Sequence, residues 1–132
     1  MATFHLRVLT AEKSFFEGEV DRCIVRTATG DVGILPNHTP YLAPLGIGGL
    51  TIYQDGKPRL AAVAHGFLEV GDNQMTMIAR TCEWADEIDL NRAEEARKQA
   101  EASLHTQASA KEMVVAQIKL KKAINRIRIA QK

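Results

Sequence analysis

The sequence predicts a β + α chain: an N-terminal antiparallel β-sandwich or flattened barrel over residues 1–84, then a C-terminal antiparallel two-helix hairpin over residues 85–132. Three observations carry this. Apolar and polar residues alternate through the first part, and turn-favouring residues separate the apolar runs. Beyond Trp84, glycine and proline vanish and the helix formers Ala, Glu, Lys, Arg, Gln and Leu take over.

Phe4, Leu6 and Val8 alternate with His5 and Arg7, the two-residue period of a strand buried on one face. EVDRCIVRTATG then carries β-branched residues into a turn expected at Gly30-Asp31. Leu45-Gly46-Ile47-Gly48-Gly49 reads as a turn leading into a strand. Asp55-Gly56 lies between two apolar segments, the strongest short-range hairpin signal in the chain, and Gly71-Asp72-Asn73 repeats it. Short strands without helical crossovers favour antiparallel pairing.

In the helical part, Leu90, Ala93, Ala96, Ala100 and Leu104 recur every three or four residues, a thin stripe that lets another helix approach closely. His105–Ser109 interrupts it, and Ser109 followed by Glu112 has the form of a capping box. The second helix is expected to turn Met113, Ala116, Leu120, Ala123, Ile124 and Ile127 inward. Lys111, Lys119, Lys122 and Arg126 share a narrow arc on another side, with Val115, Ile118 and Ile129 beside it and outside the seam. Alanine buries little area at roughly 25 cal/mol per Å². The hairpin is therefore expected to be marginally stable alone and able to open or dock elsewhere.

Composition narrows the function. Seventeen basic and sixteen acidic residues leave a net charge of +1, so no overall field attracts nucleic acid or an anionic membrane. Cys23 and Cys82 lack metal or redox spacing and read as small apolar side chains of a reducing compartment, a disulfide being the minority reading. MATFHLRVLT does not resemble a signal peptide. Proline and glycine break the uncharged run from Val32 to Gln54 too often for a spanning helix, so the protein is expected to be soluble or peripheral. His5, His38, His65 and His105 are scattered, and no serine sits in a nucleophile elbow, which disfavours an enzyme.

EIDLNRA, residues 87–93, opens the first helix. Asp89 suits a cap, worth about 1 kcal/mol over alanine. Arg92 in the first turn opposes the helix dipole by a few tenths of a kcal/mol, roughly, so capping leaves it unexplained. Asp89 and Arg92 facing a polar ligand, with Arg126 converging on one anion, is the alternative. The basic arc likewise reads as a solvated face or as a dock for an acidic partner.

GDVGILPNHTPYLAPLGIGGL, residues 30–50, resembles the signature of epsilon subunits of F-type ATP synthases, through Gly33, Leu35, Pro36, His38 and Pro40. AHGFLEV, residues 64–70, resembles their second signature, with His65 where a glycine is usual. The resemblance spans the chain. It implies a non-catalytic central-stalk subunit, peripheral on the cytoplasmic face of a bacterial plasma membrane, that couples proton or ion translocation to ATP synthesis. The sandwich would grip the gamma subunit and rest on the c-ring. The hairpin would open so that Lys111, Lys119, Lys122 and Arg126 meet acidic residues of the beta subunit and block ATP hydrolysis.

EIDLNRA is similar to an ATP-binding motif of some bacterial members at Ile88, Asp89, Arg92 and Ala93. That resemblance implies ATP as a regulatory ligand, not a required cofactor, and no clear need for Mg²⁺. Asp89 and nearby main chain would read adenine, Arg92 and Arg126 would face phosphates, and Glu83 and Lys122 would stand at contact positions. Nucleotide-binding members often carry arginine where this chain has Gln99 and Lys122. Without the resemblance, the runner-up is a free-standing adaptor whose basic hairpin binds an acidic partner.

Overall fold

The computed structural model describes residues 2–106 and 109–132. The chain divides into two compact units, 1–84 and 85–132. The first is a seven-stranded sheet of β1 (Phe4–Leu9), β2 (Ser14–Val20), β3 (Arg22–Thr27), β4 (Gly30–Ile34), β5 (Tyr41–Gln54), β6 (Lys57–Gly71) and β7 (Gln74–Trp84). Its strand order is β2-β1-β7-β6-β5-β3-β4. Neighbours are antiparallel except β1 and β7, which run parallel.

The sheet curls on itself. The Asp21 amide donates to Tyr53 O at 2.8 Å, Gln54 Nε2 to Glu19 O at 2.9 Å, and the Gly56 amide to Asp21 Oδ2 at 2.9 Å. These bonds bring the β2–β3 corner to the end of β5, so alternate side chains enclose one core. Leu6, Val8, Val20, Val25, Leu50, Leu68 and Met77 are fully buried in it. Such side chains contribute roughly 1.5–3 kcal/mol each. Cys23 Sγ lies 3.5 Å from Met75 Sδ inside this core, and both cysteines are free thiols.

Two hairpin turns follow the sequence reading. Asp55 (φ 52°) and Gly56 (φ 77°) join the Gln54–Lys57 pair, and Asp72 (φ 50°) and Asn73 (φ 57°) join Gly71 to Gln74. Two consecutive left-handed residues make the type I′ turn, whose twist matches the strands it links. Two expectations need correction. The third turn is Ala28-Thr29, where Thr27 Oγ1 donates to Gly30 O at 2.8 Å; Gly30 and Asp31 already belong to β4. Leu45–Gly49 is no turn but lies inside β5, where the strand bulges against β3 and β-carbons at Gly46 and Gly48 would collide with Thr27 O and the Arg26 side chain. The glycines there admit a close neighbour. The three long strands run to 14, 15 and 11 residues, longer than the short strands expected.

In the second unit a 3-10 turn, Ala85–Glu87, precedes α1 (Leu90–His105) and α2 (Ala110–Ala130). Both helices have side-chain caps: Asp89 Oδ1 accepts from the Arg92 amide at 3.1 Å, and Ser109 Oγ from the Glu112 amide at 3.2 Å. The interruption expected at His105–Ser109 includes Gln107 and Ala108, which lie outside the described residues. The helices pack on each other, and the longer α2 also reaches the 3-10 turn before α1, which the short connection makes an antiparallel return.

Ala93 and Ala100 of α1 and Ala116 and Ala123 of α2 are buried. Both helices space their pair by seven residues, so antiparallel packing sets Ala93 level with Ala123 and Ala100 level with Ala116. Leu120 and Ile127 flank this seam, half-buried. Met113 and Ile124, expected inside, are 37% and 45% exposed. At 100° per residue they stand about 80° and 100° from Ala123, past the seam's edge. Ile129, expected outside, is buried with Asn125 on the side of α2 away from Ala123, so the last turns of α2 have a second buried face. Val115 and Ile118 are exposed as expected.

Candidate functional site

EIDLNRA is divided between structural and exposed roles. The Ile88 amide donates to Ala85 O at 3.4 Å, ending the 3-10 turn, and the Ala93 amide to Asp89 O at 3.0 Å, beginning the helix. One Asp89 carboxylate oxygen is committed to the cap, and the residue is exposed. Ala93 is fully buried in the seam, where only a methyl fits. Arg92 is exposed, and its guanidinium makes no ion pair among the described residues. By contrast Arg97 on the same helix bonds Glu94 at 2.8 Å and Glu101 at 3.3 Å.

The antiparallel register sets Arg126 of α2 level with Leu90, so it and Arg92 belong to the same end of the hairpin. Lys122 and Arg126 are half-buried, Lys111 and Lys119 exposed; together they span an arc of about 80° on α2. Gln99 is exposed on α1, one turn further from that end than Glu95. Glu83 is half-buried near the end of β7, in the first unit.

The signature residues run from the end of β4 into the turn after it. Gly33 ends its exposed face, Leu35 is 59% exposed, Pro36 and His38 are half-buried, and Pro40 is exposed. The His38 amide donates to Leu35 O at 3.2 Å, and its Nδ1–H to Thr39 O at 2.7 Å. Its ring stands 5.8 Å from that of Tyr41.

Two features escaped the sequence reading. On the outer face of the sheet, Pro44, Phe67, Ile78 and Leu9 are direct neighbours across β5, β6, β7 and β1. They form a continuous apolar row, with Phe67 45% and Ile78 41% exposed. An open depression of about 500 Å³ adjoins it, lined by Leu9, His65, Gly66, Phe67, Ile78 and Arg80 among others. Beside it His65 (φ 60°) and Gly66 (φ 114°) break the strand geometry; a β-carbon at Gly66 would collide with Ile78 O. The left-handed His65 explains why glycine suits this position better. The second feature is the only tryptophan, Trp84, with the Arg59 guanidinium 3.7 Å over its ring and Phe15 at 4.5 Å.

The chemistry of the described residues is modest. They contain no group of three or more metal-ligating side chains, and no helix among them is long and apolar enough to cross a membrane. Burial pushes both thiols up to about 12, with Glu83 adding to the effect at Cys82. His5 is bonded at Nε2 to Glu17 and at Nδ1 to Glu19, each at 2.9 Å, and these bonds raise its pKa.

Two family models match successive parts of the chain: the beta-sandwich domain of the ATP synthase delta/epsilon chain over residues 3–85, and its long alpha-helix domain over residues 86–131. The ATP synthase epsilon chain of Ruminococcus albus is 44% identical over 100% of this chain and 99% of its own length. That of Caldanaerobacter subterraneus is 41% identical over 98% and 95%. Among solved structures, a chain of the Euglena gracilis mitochondrial ATP synthase (OSCP/F1/c-ring) superposes with a TM-score of 0.87 at 21% identity, covering 100% of this chain and 83% of that one. A chain of the Tetrahymena thermophila mitochondrial ATP synthase central stalk and c-ring gives 0.64 at 14% identity, covering 96% and 95%. With both domains matched in order and relatives above 40% identity along the whole length, the chain belongs to the epsilon-chain family of ATP synthases.

Proposed function

We propose that the chain is a rotor subunit of the central stalk, which couples ion translocation to ATP synthesis without carrying out chemistry itself. The observation that carries this reading is the apolar row Pro44–Phe67–Ile78–Leu9. Pro44, Phe67 and Ile78 are exposed and Leu9 half-buried, and such an apolar row across adjacent strands is costly to leave in water and marks a protein interface. Its occupant is the gamma subunit, and the Leu35–Pro40 turn rests on the c-ring, at the cytoplasmic face of the membrane. Phe67→Asp with Ile78→Asp tests this. Both side chains are exposed, so the chain should still fold, yet lose co-purification with gamma; retained co-purification would overturn the assignment.

The helical unit is the regulatory part. Its alanine seam holds α1 to α2 with little buried area, which suits an element with two arrangements. Opened, α2 offers Lys111, Lys119, Lys122 and Arg126 to acidic residues of the beta subunit and stops ATP hydrolysis. ATP, bound without hydrolysis by Asp89, Arg92 and Arg126 with Lys122 alongside, stabilises the closed hairpin. The exposed, unbridged Arg92 supports this reading. Ligand at its dissociation constant would add about 0.4 kcal/mol, and a hundredfold excess about 2.7 kcal/mol; only the latter holds the brake shut. Calorimetry at millimolar ATP, with and without Mg²⁺, should give heat that Arg92→Ala abolishes. No heat in either condition would remove ATP from the scheme.

A further inference from the structure

We propose that Asn73 is a positioning residue that fixes the shape in which the Leu35–Pro40 turn meets the rotor ring, an inference that rests on the rotor reading above. Asn73 closes the β6–β7 hairpin, where its left-handed backbone (φ 57°) is what a type I′ turn requires. Its amide side chain does something the turn does not need. Oδ1 accepts from the Asn37 amide at 2.8 Å, and Nδ2 donates to Thr3 O at 2.8 Å. Its own carbonyl accepts from the His5 amide at 3.3 Å. One residue thus ties the signature turn and the N-terminal segment to a hairpin 36 and 70 positions away in sequence.

The signature turn has few other means of being held. Pro36 and Pro40 have no N–H to donate. The bonds of His38 to Leu35 O and Thr39 O are local to the turn. Asn37 itself is left-handed (φ 62°), a conformation that costs a non-glycine residue and persists only where surroundings impose it. The Asn73 bond supplies that imposition. What the turn and the start of β5 present is specific: Leu35 at 59% and, in β5 just past the turn, Leu42 at 70% exposure are the most exposed large apolar side chains on the described surface. Two leucines kept in water need a partner and a fixed relative placement to meet it. Asparagine alone fits the role, because the two bonds need an acceptor and a donor on one short planar group.

The test uses the full chain in the assembled complex. Asn73→Gly keeps the left-handed backbone and the His5 bond while deleting both side-chain bonds; Asn73→Asp returns the acceptor for the Asn37 amide. In the free chain, exchange of the Asn37 amide should quicken about tenfold in the glycine variant, the size expected for one hydrogen bond, and stay near wild type in the aspartate variant. Exchange of the buried Leu68 amide should not change in either. In complexes depleted of this subunit and reconstituted, protons pumped per ATP hydrolysed should fall at least about twofold with Asn73→Gly and recover with Asn73→Asp, a rescue that general destabilisation would not produce. Unchanged Asn37 exchange, full coupling by the glycine variant, or an aspartate variant as defective as glycine would each overturn the proposal. Failure of the wild-type chain to restore coupling would instead overturn the rotor reading, and the proposal with it.

Discussion

Replacing Ala93 by leucine puts an isobutyl group where the seam has room for a methyl. Ala93 is 0% exposed and level with Ala123. The seam's own contribution is small: the methyls of Ala93, Ala100, Ala116 and Ala123, at about 0.8 kcal/mol each, amount to about 3 kcal/mol. Overpacking a filled site costs typically about 1–3 kcal/mol. One substitution therefore offsets most of what the four alanines contribute to the seam, and about 2 kcal/mol shifts the open-to-closed ratio roughly 30-fold. Native-state amide exchange across α2 reads this ratio directly, with the same chain carrying Glu95→Leu as the control. Glu95 is exposed, about 200° around α1 from Ala93, so it adds the same side chain outside the seam. Amides around Ala116–Ala123 should exchange about 30-fold faster in Ala93→Leu and within about threefold of wild type in Glu95→Leu. Equal protection in Ala93→Leu and wild type would show that the seam does not hold the hairpin closed.

His65→Gly should be more stable than His65→Ala by about 1 kcal/mol, because both lose the ring but only alanine keeps a β-carbon at φ 60°; urea midpoints compare them. Both cysteines should resist thiol reagents at about pH 8, reacting on the order of a thousandfold slower than an exposed cysteine, since burial holds each thiol near 12. Labelling at the exposed-thiol rate in folded protein would contradict that burial. The His5 cluster makes stability depend on pH. The Glu17 bond, then the Glu19 bond, raise His5 above its ordinary 6.5, so its contribution is full below 6.5 and lost as pH rises through the raised value. Glu19, held below its ordinary 4.5 chiefly by His5, contributes above 4.5 and loses this as pH falls through the lowered value. His5→Gln should therefore lower the melting temperature most between pH 4.5 and 6.5, and a loss equally large at about pH 9 would refute the linkage.

Local chemistry was legible wherever a residue type has one physical use. Asp55-Gly56 and Asp72-Asn73 announced their turns because few residues accept consecutive left-handed angles, and Asp89 and Ser109 announced helix starts because their side chains satisfy free amides. Leu45–Gly49 misled because glycine serves both turns and close approach; only the way β5 bulges against β3 there decides which. Met113, Ile124 and Ile129 were misplaced for a related reason. A stripe drawn for one neighbour cannot foresee that the last turns of α2 have a second buried face, occupied by Asn125 and Ile129. The apolar row was hidden because β6 and β7 carry apolar residues on both faces, and composition does not say which face meets water. Asn73 read as a turn residue, with nothing to indicate that its side chain reaches Asn37 and Thr3.

The β5–β6 ribbon also has a mechanical meaning. Its ladder runs from Gln54–Lys57 to Tyr41–Val70, a contour of about 46 Å at roughly 3.3 Å per residue. The regular pairing lapses between Pro44–Phe67 and Ile47–Ala64, where His65 and Gly66 take left-handed angles. The ribbon is thus two stiff beams meeting at one joint, and the apolar row crosses it beside that joint. On the proposed rotor reading, torque entering through Phe67 and Pro44 would have the shorter beam, toward Tyr41, on its own side, and would have to pass the joint to load the longer one. Compliance in this part of a rotary machine would then reside at His65-Gly66, leaving the rest of the sheet to turn as a rigid body.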